Sequence, residues 1–449
     1  MNRYVLLLLA LTAPLVASAK DPLNWILNNR HSPLEISENF VRSWGQDLSD
    51  VIDWRGMDMF NPYDQAVCIF ALLEEGKIED AKKILIGLRA IQNTDGSFYF
   101  FYDIYNPLGS YVPHDKKSSA MASWTAMAAS YYTYITKDTQ FLDMAIMAMD
   151  FVHTLQDEDG AIRTYPDVNH KSTEHALDAY SAWTYLSDNL YRFDYKLDKA
   201  NEFVVCASEV RSYLENEAWL EKEGRFMRGK APDDYKVLDV NTWGVLSLGP
   251  KSLDESKDFD RSLDYIEKHY KYTVQGVTGF DFNLDYNSDY TENRSFVAGG
   301  KNTGSDGLDT VWSEGTLGAV LAFYEVGDIE KAEFYLNEVS KMIYTGRERT
   351  AKGGVLYAVV RGSTSEFARD GTIYPVIDGK DDTESGLPAT QACCAGWYIL
   401  AKNKLNPFRP HKISNDLEAT FYKRSASEQS AEAMWQCDSD PETSVTHKP

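Results

Sequence analysis

Two kinds of helical segment alternate along this chain, and that alternation limits what it can fold into. One kind is amphipathic: Leu34–Gln46, Ile78–Gln92, Asp138–Gln156, Lys196–Trp219, Phe259–Tyr270 and Ile329–Ile343. In the second of these, Ile78, Ala81, Ile84, Leu85, Leu88 and Ile91 recur at the spacing of a surface helix with one buried face. The other kind is small, apolar and aromatic nearly all round: Tyr63–Leu73, Ser119–Ile135, Glu174–Leu190, Val240–Leu248, Val311–Val326 and Pro388–Lys402. A helix without a polar face is buried on every side. Inner and outer helices in strict alternation are buried most simply by a double ring. The sequence therefore predicts an all-α fold, an (α/α)6 toroid with six inner and six outer helices. An open solenoid of helix pairs would need similar repeats and short loops, and the loops here are very unequal.

That inequality has a direction. Links from inner to outer helices are short, as at Glu74–Lys77, Thr136–Lys137 and Gly327–Asp328. Links from outer back to inner are long: Asn93–Ser118, Asp157–Thr173, Leu220–Asp239, Lys271–Thr310 and Thr345–Leu387. All five fall at the barrel end where inner helices begin, with some β-hairpin expected among them. Long loops in a compact domain usually carry function. Two of them hold aromatic and acidic clusters, Phe98–Tyr105 and Phe280–Tyr290. Sugar rings stack on aromatic faces, and their hydroxyls pair with carboxylates, so a carbohydrate is the expected partner.

Composition narrows the partner further. With 45 basic and 68 acidic residues the formal charge is −23. Such a chain is poorly suited to a phosphate backbone or an anionic membrane surface, so neither nucleic acid nor stable membrane insertion is expected. The start reads as a cleavable signal peptide over residues 1–19: Arg3, an apolar run from Val5 to Val16, then Ala17-Ser18-Ala19. The expected organisation is this leader, a toroid over 20–410, and a polar, disordered tail over 411–449, in a secreted or periplasmic monomer. Five cysteines, Cys68, Cys206, Cys393, Cys394 and Cys437, match no zinc spacing and are too sparse for a disulfide scaffold.

Three segments sit where inner helices begin: Asn61-Pro-Tyr-Asp-Gln-Ala, Ser172-Thr-Glu-His-Ala-Leu-Asp-Ala-Tyr180 and Asp309-Thr-Val-Trp-Ser-Glu-Gly-Thr316. Ser172 or Thr173, and Thr310, are expected N-caps. Glu174 and Asp178 are four apart and share a helix face. Glu314 opens a wholly apolar helix, which is costly unless it faces a cavity. The bland account is that such acids complement helix dipoles, at roughly 0.3–1 kcal/mol each. It does not explain why acids begin helices that otherwise avoid charge. Glu174, Glu314 and Asp178 are the candidate catalytic residues. Tyr63, Asp64, Tyr102, His175, Asp309 and Trp312 are the candidate substrate contacts.

Glycoside hydrolysis needs one carboxyl to donate a proton and another to activate water or attack carbon. Glu174, in the first turn, is assigned the base and Glu314, beside Trp312, the acid, though the pair could be reversed. No nucleophile elbow, H-E-x-x-H motif or phosphate-binding loop is present, and no cofactor or metal is expected. Asp281–Glu292 has the ligand spacing of a calcium loop, but Tyr286 stands where glycine is needed. Its apolar residues also alternate as in a strand.

With these motifs the chain resembles the six-hairpin glycosidase superfamily over about Pro33–Leu405, and exported bacterial toroid proteins that look like glycoside hydrolases. The resemblance implies the toroid and supports Glu174, Asp178 and Glu314 as candidates. It does not assign their roles, because families of this superfamily draw acids from different helices. The superfamily also holds lyases, epimerases and phosphorylases. A lyase with a Tyr or His base, with Arg294, Arg361 and Arg369 lining the groove, and a non-catalytic glycan-binding protein are the alternatives to a hydrolase.

Overall fold

The computed structural model describes residues 22–30, 39–43, 59–104, 116–230, 236–282, 310–345, 352–356, 358–360 and 390–414. Six inner helices form a closed ring: α2 (Pro62–Glu74), α4 (Ser119–Thr136), α6 (Thr173–Arg192), α8 (Asp239–Leu248), α10 (Ser313–Glu325) and α12 (Ala392–Asn403). Each packs on the next, and α12 returns to α2. This is the (α/α)6 toroid. Closure at α12–α2 needs a small residue, since a Cβ on Gly396 would lie 2.6 Å from Val67 Cγ1.

The outer ring is α1 (Pro22–Asn28), α3 (Ile78–Ile91), α5 (Leu142–His153), α7 (Leu197–Tyr213), α9 (Arg261–His269) and α11 (Ile329–Ser340). Each outer helix packs against the inner helices as the amphipathic pattern requires: α3 buries Ala81, Ile84, Leu85, Leu88 and Ile91 and leaves its charged residues outward. A π-helical turn, Leu214–Ala218, extends α7. The first outer helix differs from expectation. Leu34–Gln46 lies mostly outside the described residues, and its described part, 39–43, is not α-helical. The short α1 packs against α12 and α2 instead.

Because every outer helix returns the chain, all inner helices run the same way and their N-termini share one end. Four small antiparallel pairs dress the loops: β1 (Met59–Phe60) with β2 (Tyr102–Asp103), β3 (Trp219–Leu220) with β4 (Arg225–Phe226), β5 (Lys271–Val274) with β6 (Val277–Phe280), and β7 (Thr310–Trp312) with β8 (Ala358–Val360). Ser172 caps α6 as expected, accepting from the His175 N–H at 3.3 Å. Thr310 does not cap α10. It pairs with Val360 across β7 and β8, and Trp312 takes the cap position without a side-chain capping bond.

The aromatic loop cluster at 98–104 is drawn inward. Phe98 and Ile104 are fully buried, and Tyr102 stacks on Phe60 at 5.3 Å. Asp281 and Phe282 are the described part of the would-be calcium loop; the rest of it lies outside the described residues, as do the leader, 415–449, Arg294, Arg361 and Arg369. Cys68, Cys206, Cys393 and Cys394 are buried free thiols, and Cys437 is outside the described residues.

Candidate active site

Five buried or half-buried carboxylates meet at the mouth where inner helices begin. Asp64 comes from α2, Glu174 and Asp178 from α6, Asp239 from α8 and Glu314 from α10. Local sequence sets each one. Asn61 caps α2, its Oδ1 accepting from the Asp64 N–H at 2.7 Å. Glu174 and Asp178 share the inward face of α6. Asp239 opens α8, and its Oδ1 accepts from the Val240 N–H at 2.7 Å. Glu314 enters beside Trp312, whose ring lies over Gly315; a Cβ there would come within 2.2 Å of it.

Below the acids lies an aromatic floor. Trp124, Trp243 and Trp397 come from alternate inner helices α4, α8 and α12, about one turn in from their N-terminal ends. Their ring centres are 5.8–6.2 Å apart, and Phe408 sits within 5.2 Å of Trp124 and 5.1 Å of Trp243. Tyr63, half-buried, lies edge-on to Trp124 at 4.8 Å. Trp397 Nε1 donates to the Tyr63 hydroxyl at 2.7 Å, and Tyr63 donates in turn to Glu314 Oε1. The other oxygen, Oε2, accepts from the Cys393 thiol at 3.3 Å.

Crowding these acids away from water favours their neutral forms. Burial pushes Glu314 up to about 7; the Tyr63 and Cys393 donors pull it back, while Asp64 and Asp239 push it further. Burial likewise lifts Asp64 to about 7, against Ser43 and Cys393. Asp239 rises to about 6 by burial, held back by the Val240 N–H and the Arg228 guanidinium. Glu174 stands well above the carboxylate range, through burial and then the charges of Asp239 and Glu314, with Arg228 opposing. Asp178 is also raised well above its ordinary value, by burial and by Glu174, with the Trp124 indole pulling the other way. The two glutamates differ in degree. Glu314 has donors on both oxygens, which hold its rise to about 7. Burial and neighbouring charges keep Glu174 neutral.

The structure brings together Glu174, Asp178, Glu314, Asp64 and Tyr63. Trp312 stands at their edge, 4% exposed and edge-on to Phe282 at 4.9 Å. His175 is placed otherwise. Its ring is buried with Nδ1 at 2.7 Å from Ser119 Oγ, and burial and His170 lower it to about 3. Tyr102 is 1% exposed, its hydroxyl accepting from the Tyr99 N–H at 2.9 Å. Asp309 lies outside the described residues.

Sequence reasoning missed Asp239, Arg228, Cys393 and the three tryptophans. Asp239 had a legible signal: an acid directly before an apolar helix, as at Glu174 and Glu314. Arg228 had none, because it reaches the mouth through a loop. Its carbonyl accepts from the Thr173 N–H at 2.9 Å, and Ser172 bridges to Gly229, docking that loop on the start of α6.

No protein-family model and no curated protein matches the chain. Solved structures do. A wild-type glycosidase superposes with a TM-score of 0.58 at 10% identity, covering 86% of this chain and 95% of its own. Cellobiose 2-epimerase from Bacillus thermoamylovorans gives 0.57 at 11%, covering 86% and 98%. A bacterial glucoamylase complexed with acarbose gives 0.52 at 12%, covering 82% of this chain and 51% of its own. At these identities the likeness is one of fold. The chain has the (α/α)6 toroid fold of these structures.

Proposed function

We propose that the protein is an exported glycoside hydrolase that cleaves an oligo- or polysaccharide at the barrel mouth. The observation that carries this reading is the unequal hydrogen bonding of two raised carboxyls on α6 and α10, the inner helices that flank α8. Glu174 is held protonated by burial and by its acidic neighbours. Glu314 is cradled by two donors. Glycoside hydrolysis needs such a pair: an acid for the leaving oxygen and a carboxylate for water or the anomeric carbon. Glu174 is the general acid and Glu314 the base or nucleophile, the reverse of the assignment drawn from helix position. A helix N-terminus favours ionisation by under about 1 kcal/mol at an exposed site. Here the charges of Asp239 and Glu314 and the loss of water outweigh it.

In this reading Glu174 gives its proton to the glycosidic oxygen as the bond breaks. Glu314, ionised and hydrogen-bonded by Tyr63, meets the positive charge that develops at the anomeric carbon. Burial and the charges of Asp239 and Glu314 keep Glu174 protonated until substrate arrives, and Arg228 limits how far. The likeness in fold to the glycosidase and the glucoamylase supports a sugar substrate.

A lyase using tyrosine or histidine as base fits less well. Burial and Glu314 hold the Tyr63 phenol protonated, and the His175 ring is engaged with Ser119. Screening a glycan panel for new reducing ends tests the hydrolase. Glu174→Gln and Glu314→Gln should each lower turnover by roughly 10²–10⁴-fold; full activity in either rejects that residue's role. An unsaturated product absorbing in the near ultraviolet would identify a lyase, and sugar binding without turnover a binding protein.

A further inference from the structure

Two consecutive cysteines open α12 directly beside the Glu314 carboxylate. Cys393 Sγ lies 4.0 Å from Cys394 Sγ and 3.3 Å from Glu314 Oε2. One ligand atom from each of the three residues falls within 4.8 Å of the others, and all three residues are buried. We propose that Glu314, Cys393 and Cys394 form a binding site for a thiophilic divalent ion, of the zinc or cadmium class, which captures the mouth carboxylate when it binds.

The ligand chemistry selects the ion. Two sulfurs and one carboxylate oxygen suit zinc or cadmium and not magnesium or calcium, which prefer oxygen alone. The spacing fits as well. Two sulfurs at about 2.3 Å from a tetrahedral zinc lie roughly 3.8 Å apart, close to the separation seen here. The fourth position is left to water or to the Gln391 amide oxygen, which lies 3.5 Å from Cys394 Sγ.

The proton balance removes the usual objection to placing an ion in a buried site. Both thiols are neutral donors here, Cys393 to Glu314 and Cys394 to Gln391. Binding breaks two S–H bonds, forms two sulfur–metal bonds and releases two protons to solvent, with no redox change. A doubly charged ion replaces two protons, so the net charge of the cluster is unchanged. Glu314 keeps 7% of its surface accessible, which gives the ion a point of entry.

Binding would replace the Cys393 hydrogen bond to Glu314 Oε2 with a bond to the metal and so engage the carboxylate. The inhibition this implies rests on the hydrolase reading, but the binding does not. The test is titration of the full reduced chain with Cd²⁺, read by the ultraviolet sulfur-to-metal charge-transfer band. One saturating ion per chain is expected, with apparent affinity falling roughly 100-fold per pH unit of acidification above about pH 7, since two thiol protons leave, and more steeply below it as Glu314 takes up a proton. The combined variant Cys68→Ser, Cys206→Ser, Cys437→Ser should keep the band, and Cys393→Ser with Cys394→Ser should abolish it. Glu314→Gln should keep the band but weaken affinity by at least the roughly tenfold that losing an outer-shell partner costs. No band in the wild type, or a band lost with the other three cysteines, overturns the site. If the paired-cysteine variant fails to fold, the three-cysteine variant and the pH slope decide. Cadmium binding in a protein that cleaves no glycan would leave the site standing and reject the hydrolase.

Discussion

The Tyr63 hydroxyl bridges α12 to α10: it accepts from the Trp397 indole at 2.7 Å and donates to Glu314 Oε1. One phenol thus couples the aromatic floor to a mouth carboxylate. Its donor bond stabilises the ionised form of Glu314, whose carboxyl already stands near 7. Tyr63→Phe deletes that bond and keeps the ring against Trp124. The Glu314 carboxyl should then titrate higher, by up to about one pH unit, or roughly 1.4 kcal/mol. A carbon-13 NMR titration of the side-chain carboxyls measures this without any substrate. Under the hydrolase reading, the acidic limb of the activity profile should move up with it. An unmoved Glu314 titration would show that the bond does not set its charge.

Five raised carboxyls also make the fold pH-sensitive in a definite direction. A carboxyl whose folded value is raised holds its proton longer in the folded chain than in the unfolded one. Its contribution to stability is fully present below the unfolded value and is lost as pH rises through the folded value. For Asp64 and Glu314 the window runs from roughly pH 4 to about 7, and for Asp239 to about 6. Asp64→Asn removes one such charge at nearly constant shape. It should raise stability at pH 8 by on the order of 1–4 kcal/mol and change little at pH 4. Urea unfolding at the two pH values measures the difference. Equal effects at both would mean that Asp64 is not held neutral.

The fold was legible because its signal is repeated. Alternating one-faced and all-apolar helices describe the double ring, and α3, α4, α6 and α11 begin within a residue of where the periodicity places them. The first outer helix was misread because Leu34–Gln46 has helical spacing, while ring closure is made by the short Pro22–Asn28. The site was legible where chemistry sits in the helix that presents it, as at Glu174, Asp178 and Glu314. It was not legible where two distant segments must meet. Nothing local to Cys393 or Trp397 announces Glu314 or Tyr63. The Phe98–Ile104 cluster misled for the opposite reason: loop aromatics look available in a sequence, yet Phe60 stacking draws Tyr102 into the core.

Asp239 offers a separate test of how the acids act on one another. Its charge is the first electrostatic influence after burial that raises Glu174, while Arg228 offsets both. Asp239→Asn should therefore lower the Glu174 titration and leave Arg228 nearer to a single carboxylate. Under the hydrolase reading, a general acid that loses its proton too early works over a narrower range, so the basic limb of activity should move down in pH. Arg228→Gln should move both carboxyls the other way, upward. The same NMR titration distinguishes the two variants, and shifts of the same sign in both would contradict this arrangement.

The opposite end of the barrel depends on a carboxylate of the opposite kind. Asp188, fully buried on α6, accepts from Arg192, from His411 at 3.1 Å and from the Ser414 N–H at 2.9 Å. These donors overcome burial and hold it below the usual carboxylate range. It pins the segment after α12 beside a cavity of about 560 Å³ bordered by Tyr185, Arg211 and Arg409. The His411 ring is trapped there, stacked on Tyr134 at 3.7 Å. Here the linkage runs the other way: the stability Asp188 contributes is present above its unfolded value and is lost as pH falls through the folded one. Asp188→Ala removes the acceptor shared by Arg192, His411 and the Ser414 N–H, at a cost of roughly 1–3 kcal/mol, since Arg192 is partly exposed and keeps its bond to the Lys412 carbonyl. The loss should be largest near neutral pH and smaller under acid, the reverse of the Asp64 pattern. Hydrogen exchange should also quicken first at Ser414 and the residues before it, and a uniform change across the barrel would show that Asp188 does not act by pinning this segment.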